Sequence, residues 1–383
     1  MNRSLHSLCS FAWMVFLCCC VKSPASAQQY RWANFAGTSE KPGKADGVAQ
    51  AAQFDTPTGI ALDKAGNIYV ADTGNHTIRK ITPTGMVTTV AGAAGISGSA
   101  DGKGAVARFA YPMGIAVEGA NLFVADTGNS LIRKITADGV VSTLAGKTKE
   151  SGCVNGLGPL ARFGSPKGIA LSEDGHLYVA DCAITHDGNS SNSVIRQVTA
   201  AGAVATLVCS WKLHAVRVTS ADPFVEDNES GISSGGGLAV YRRAQIYTAD
   251  PIGRISHINV GAKFTEIASV GRPKYYRKRG GIELPSCCLA VDGDGNVLVA
   301  VRDCNAIRRI TRGGTVSTIG GVGDKITDSP EGATDGLGSD ARFRQPCGIA
   351  VSPSGKIYVA DTGNHRITQG SPTTVKPSML ERK

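Results

Sequence analysis

Three groups of residues in this 383-residue chain have types and spacings that could do chemistry. The first is sulfur. Of eleven cysteines, four fall within the first twenty residues, which leaves Cys153, Cys182, Cys209, Cys287, Cys288, Cys304 and Cys347. Thiols in such number either join as disulfides or, as thiolates, hold a metal. The paired C-x-x-C spacing of a structural zinc site is missing, which favours disulfides. Seven is odd, so one thiol stays free or pairs with another chain. The second group is Arg272, Lys274, Tyr275, Tyr276, Arg277, Lys278 and Arg279, a run of cations around two aromatics. It suits an anionic or sugar-rich partner through charge and ring stacking, and a solvated basic loop is the alternative. The third is a recurring Ala-Arg-Phe, giving Arg108, Arg162 and Arg342 as further binding candidates. A catalytic set needs different groups converging once. The same group returning at intervals points instead to packing or to a repeated surface.

The elements that must position these groups start after an export signal. Arg3 opens a short basic region, Leu8 to Val21 is apolar, and Ala25-Ser26-Ala27 offers a small-residue cleavage site. The apolar run is about 14 residues, short of the ~20 needed to span a bilayer. The expected boundaries are therefore signal 1–27, folded domain 28–370 and polar tail 371–383, with no membrane span and a secreted or extracytoplasmic product. Cys18 to Cys20 leave a lipoprotein route open, although Val15-Phe16-Leu17 are bulky for it. Asn75, Asn189 and Asn228 head glycosylation sequons. The formal charge of +9 suits an anionic partner.

The folded part repeats. Pro57 to Leu62, Gly66 to Asp72, Thr77 to Thr82 and Val87 to Gly92 make four strand-like pieces separated by turn residues. The order returns from Pro112, Pro166 and Pro346, and weaker copies run from Gly236 and Pro285. Six four-stranded antiparallel units predict an all-β, six-bladed propeller rather than a solenoid. The ends support closure. The last copy lacks a fourth strand, and Tyr30 to Gly37 resembles an isolated one, so an N-terminal strand should complete the final blade.

These units, above all Val70-Ala71-Asp72-Thr73-Gly74-Asn75-His76 and its twin Val359 to His365, resemble NHL repeats across roughly residues 30 to 370. Two copies are degraded: Val301 replaces the strand-end Asp in blade five, and blade four lacks the Thr-Gly-Asn turn. On the propeller template, the turns between strands two and three share one face with long connections between blades, Ala93 to Tyr111, Lys147 to Ser165 and Gly321 to Gln345. Binding is expected on that loop-rich face. There Arg108, Arg162 and Arg342 are expected to meet the carboxylates of Asp72, Asp126, Asp181 and Asp361, with the following Phe plugged between blades. All seven cysteines map to the same face. Cys153 with Cys182, and Cys304 with Cys287 or Cys288, are the expected same-blade pairs, while the full connectivity stays open.

Some propellers of this kind are enzymes. The chain is similar to peptidyl-hydroxyglycine amidating lyases, which implies zinc held by histidines four residues after the strand-end Asp. His76 and His365 fit, His186 is the third candidate, and blade two has Ser130 there. Lactonase-type propellers imply acidic and amide metal ligands inside the channel, such as those for calcium, but the strong inner strands offer no Glu except Glu118, at a strand end. The reading favoured is a binding or interaction scaffold without cofactor, acting on a protein or an anionic or glycan ligand. Nucleic acid is disfavoured by export, and a zinc- or calcium-dependent enzyme is the alternative.

Overall fold

The computed structural model describes residues 28–184, 191–209, 237–242, 245–249, 254–258, 264–270, 287–322 and 330–373. The expected export signal, His186, Asn189, Asn228 and the cationic run Arg272 to Arg279 lie outside the described residues. Six antiparallel sheets follow one another in chain order. Blade one comprises Pro57–Leu62, Ile68–Asp72, Thr77–Ile81 and Met86–Ala91, counted from the centre outward. Blade two is Pro112–Glu118, Asn121–Asp126, Leu131–Ile135 and Val140–Gly146. Blade three is Gly168–Leu171, Leu177–Ile184, Ser191–Val198 and Ala203–Cys209; blade four is Gly237–Tyr241, Gln245–Ala249, Arg254–Ile258 and Phe264–Ser269. Blade five is Cys287–Val291, Val297–Val301, Ala306–Ile310 and Val316–Gly320. Blade six takes Ile349–Val351, Ile357–Asp361 and Arg366–Pro372 from the C-terminal end and Tyr30–Ala36 from the other end.

Closure is specific in register and in packing. Tyr30 pairs with Pro372 and Trp32 with Gly370, so the last strand runs two residues beyond the Gly370 boundary expected from sequence. Trp32 is 1% exposed, donates its indole N–H to the Ile319 carbonyl at 2.8 Å and meets Phe343 edge-on. The ring fits because Gly320 and Gly370 flank it. A Cβ on either would stand 2.6 or 2.7 Å from the indole.

The second strand is buried throughout in blades one, five and six, as in Ile68–Asp72, Val297–Val301 and Ile357–Asp361. Its side chains alternate between two neighbouring blades, so a continuous apolar run is what a strand buried on both faces requires. Ile68 and Val70 join Tyr358, Ala360 and Ile367 of blade six, whereas Tyr69 and Ala71 join Leu122 and Val124 of blade two. Each of the six blade interfaces has its own buried cluster. The core is therefore a set of wedges, and no blade covers its own faces.

The connections between blades do something the sequence reading did not anticipate. Rather than standing wholly on the loop-rich face, they descend the outer edge of the next blade. Gly47–Val48, Gly102–Lys103, Gly156–Leu157 and Gly336–Leu337 each add a short fifth strand to an outer strand, and a 3-10 turn then leads back to the buried Phe. Gly104 N–H donates to the Gly139 carbonyl, in the turn at the opposite end of blade two. Among the described residues, no helix is long and apolar enough to cross a membrane.

Candidate functional site: the turn-rich face

At the end of each strong blade's second strand sits a buried carboxylate whose partner is an arginine from the third strand. Arg79 reaches Asp72 at 2.8 Å, Arg133 reaches Asp126 at 2.9 Å, Arg196 reaches Asp181 at 3.5 Å and Arg366 reaches Asp361 at 2.9 Å. These arginines are at most 2% exposed. Three of them lie over the Phe of the Ala-Arg-Phe-type segment, Arg79 over Phe54, Arg133 over Phe109 and Arg196 over Phe163. Arg366 stands two residues earlier relative to its Asp than Arg79 does. Because strand side chains repeat every two residues, both positions point to the same place.

This corrects the expected partner. Arg108, Arg162 and Arg342 do not reach the strand-end carboxylates. They fold back onto the carbonyls that end their own 3-10 turns: Arg108 donates to Ala107, Arg162 to Pro159 and Ala161, and Arg342 to Ala341. Arg162 also pairs with Glu150 at 2.6 Å. The Phe residues that follow are fully buried between blades, as the repeat implied.

The rest of the repeat motif is consumed in the same way. Asp126 accepts from the Ala110 N–H at 2.8 Å and the Asn129 amide at 2.7 Å, and Arg133 carries on to Asp101 of the Asp-Gly element at 2.7 Å. Burial pushes the Asp72 and Asp126 carboxyls up to about 6, against the arginine and amide donors that favour their charge. Asp361 is raised for the same reason. The Asn75 amide donates to Gly43 and Asp72 from a buried position, so the first sequon is a structural amide.

His76 and His365 close the turns. Both occupy the left-handed region, at φ 58° and 54°, as do Ser130 and Asn305 at the equivalent places. The Nδ1 of His76 accepts the N–H of Tyr111, and that of His365 accepts the N–H of Thr56, each at 3.1 Å. Asn305 takes the Gln345 N–H through its side-chain oxygen at 2.8 Å. Tyr111, Thr56 and Gln345 each precede a proline and also hold positive φ, a strained place for non-glycine residues. The side chain of one blade thus pins the entry of the next.

Burial holds both imidazoles below the usual histidine range, with Asp55 pulling the other way. Asp55 lies 3.5 Å from the His365 Nδ1. A catalytic zinc needs three protein ligands. With each Nδ1 already accepting a backbone N–H, only Nε2 of His76 and His365 is available. The described residues contain no group of three or more His, Cys, Asp or Glu able to hold a metal ion. Zinc therefore fits the described residues poorly, and the third candidate, His186, lies outside them.

The cysteines divide between interfaces. Cys304 is buried in the cluster between blades four and five, whereas Cys288 packs against the cluster between blades five and six. The two thiols stand on opposite faces of one blade, so a Cys304–Cys288 bridge is not the pairing this fold provides. Cys153 lies 3.6 Å from Arg196 and 4.0 Å from the Thr206 hydroxyl. The side chains of its expected partner Cys182, and of Cys209 and Cys287, lie outside the described residues.

The fold is a six-bladed propeller of antiparallel sheets, and two of its blades match a known repeat. Residues 54–81 and 343–369 match the NHL repeat, the two strongest copies on either side of the ring closure. Teneurin-3 of Mus musculus is 26% identical over 365 residues, covering 84% of this chain and 12% of that protein. NHL repeat-containing protein 2 of Gallus gallus is 27% identical over 324 residues, covering 81% of this chain and 38% of that protein. The chain thus spans well under half the length of these relatives. An auxiliary nutrient binding protein from Bacteroides ovatus superposes with a TM-score of 0.59 at 15% identity, over 90% of this chain and 77% of its own, which establishes a shared fold.

Proposed function

We propose that the chain is an exported NHL-repeat scaffold that docks an acidic or sulfated ligand on its turn-rich face through Arg272 to Arg279. The observation that carries this reading is the use made of the repeated polar groups. Asp126, Asn129 and Arg133, with their counterparts in blades one and six, bond to one another and to backbone within a blade and its incoming connection. They build the frame. Recognition is left to what differs between blades, and the cationic run is the most distinctive such stretch, falling in the sequence between the outer strand of blade four and the inner strand of blade five. The formal charge of +9, or +7 once Arg3 and Lys22 leave with the signal, supports an anionic partner. The auxiliary nutrient binding protein that shares the fold, and the likeness to teneurin-3, support a docking role.

The test is titration with a sulfated oligosaccharide, comparing the wild type with a variant in which Arg272, Lys274, Arg277, Lys278 and Arg279 are serine. Binding that weakens tenfold or more in the variant, and falls as salt shortens the screening length, supports the reading. Equal binding by both proteins, or none by the wild type, refutes it. The enzyme alternative rests on His76 and His365 closing the equivalent Thr-Gly-Asn turns of the neighbouring blades one and six. It requires stoichiometric zinc in metal-replete protein that disappears in His76→Ala.

A further inference from the structure

We propose that Cys288 and Cys347 form a disulfide that locks blade five to blade six beside the ring closure. Their sulfurs lie 3.5 Å apart, on the innermost strand of blade five and at the entry to that of blade six. The contact has a counterpart at other interfaces, where it is made without sulfur. Gly59 of blade one faces Met113 of blade two, Gly114 faces Lys167 of blade three, and Gly348 faces Thr58 of blade one. A Cβ on these glycines would fall 2.1, 2.4 and 1.9 Å from the carbonyl oxygen across the interface. Inner strands there approach too closely for any side chain.

Cys288 occupies the same place in blade five. It pairs with Ala300 as Gly114 pairs with Ala125 and Gly168 with Ala180. Cys347 occupies the place of Met113, Lys167 and Thr58, immediately before the glycine. Blade five therefore departs from glycine, and the residue it faces across the interface departs to cysteine as well. A side chain that closer packing would exclude is accommodated by one able to bond to it. The bridge closes a loop spanning 59 positions of sequence and staples blade five to blade six, the blade in which the N-terminal and C-terminal strands pair.

Formation requires an oxidant, and the class that fits is a small disulfide such as glutathione disulfide. Cys288 is partly exposed while Cys347 is 1% exposed. The Cys288 thiolate attacks one glutathione sulfur and expels a glutathione thiolate. Cys347, after losing its proton, attacks the mixed disulfide at the Cys288 sulfur and expels the second. Two thiol protons are released to solvent, and two electrons reduce the glutathione disulfide to two thiolates.

The experiment uses reduced, folded full-length protein, equilibrated with glutathione disulfide, quenched by acid and alkylation, digested and mapped by mass spectrometry. Because the oxidant is added, the result does not depend on export or on ligand docking. The expected result is a cross-link joining the Cys347 peptide to the Cys287–Cys288 peptide, retained in Cys287→Ser and absent from Cys288→Gly. The glycine variant installs the residue used by blades one, two, three, four and six, so it should fold. Oxidation should raise the melting temperature of wild type and Cys287→Ser by several degrees more than that of Cys288→Gly. Cys347 recovered as an alkylated thiol in oxidised folded wild type, joined to another cysteine, or still cross-linked in Cys288→Gly would overturn the proposal.

Discussion

Replacing Arg133 by Met separates the two arginine classes of the repeat. Arg133 is fully buried, and its two terminal guanidinium nitrogens donate to Asp126, Asp101 and the carbonyls of Arg108 and Ala100, at 2.7 to 3.0 Å. Met retains much of the apolar stem over Phe109 but leaves Asp126 with only the Ala110 N–H and the Asn129 amide. Removing one partner of a buried pair costs about 3–5 kcal/mol, because the remaining charge is uncompensated. Unfolding entropy of about 2.1 cal/mol/K per residue over some 350 residues implies roughly 0.7 kcal/mol per degree, so melting should drop by about 4–7 °C. Asp126→Asn in the same chain removes the orphaned charge and should recover part of the loss, giving a coupling energy of about 1–3 kcal/mol in a double-mutant cycle. Arg108→Met is the control. Its guanidinium caps its own half-buried turn, and its loss should cost about 1 kcal/mol or less. Calorimetry of the wild type, both single variants of the cycle, the double variant and the Arg108→Met control decides the matter. Equal losses from Arg108→Met and Arg133→Met, or no coupling between Arg133 and Asp126, would refute the assignment of Arg133 as the structural partner.

Other expectations follow from the same geometry. Trp32→Ala empties the pocket between Gly320 and Gly370 and should cost about 3–5 kcal/mol in denaturant unfolding, with the Tyr30–Ala36 amides losing protection first in hydrogen exchange. His76→Asn/His365→Asn keeps residues that tolerate left-handed backbone and accept an N–H, as Asn305 does. Burial depresses both histidines, so the unfolded chain binds more protons at and somewhat below pH 6.5. Their contribution to stability is present above pH 6.5 and lost as pH falls through the folded values. Across that window the wild type should lose stability faster than the double variant, and parallel curves would contradict the neutral-acceptor role. Gly114→Ala should destabilise by 1 kcal/mol or more, because its Cβ would meet the Lys167 carbonyl.

The blade count, the strand order and the closing strand were legible because both faces of every blade are buried. That burial imposes a run such as Ile68 to Asp72 and its copies, and the missing fourth strand in the last copy had to come from Tyr30 to Ala36. The plugged phenylalanines were legible for the same reason. The arginine assignment was not. Arg108 and Arg133 both lie within reach of Asp126 in sequence, and only the pleat shows that third-strand positions share its face. The route of the connections was equally hidden, since an Asp-Gly element reads as a turn until Gly102 and Lys103 are seen paired with Val141 and Val140. The Cys304–Cys288 alternative was misplaced because the template locates residues by blade, whereas Cys288 and Cys304 face different neighbours; the side chains of Cys182 and Cys287, the other expected partners, lie outside the described residues. A signal existed in the alignment of copies, where Cys288 takes the place of a glycine and Cys347 stands opposite. Finding it required knowing which residues of adjacent blades touch.

The central claim is that the repeated polar groups form the frame and that recognition belongs to the turn-rich face. Hydrogen exchange with and without a saturating sulfated oligosaccharide tests it most directly. Protection gained at residues 271–286, together with the turn-face residues around Arg302 and Gln345 of blades five and six, is the predicted result. Protection confined to the outer edge strands, such as Gly102–Lys103 and Gly156–Leu157, or to the opposite turns around Gly139 and Gly202, would contradict it.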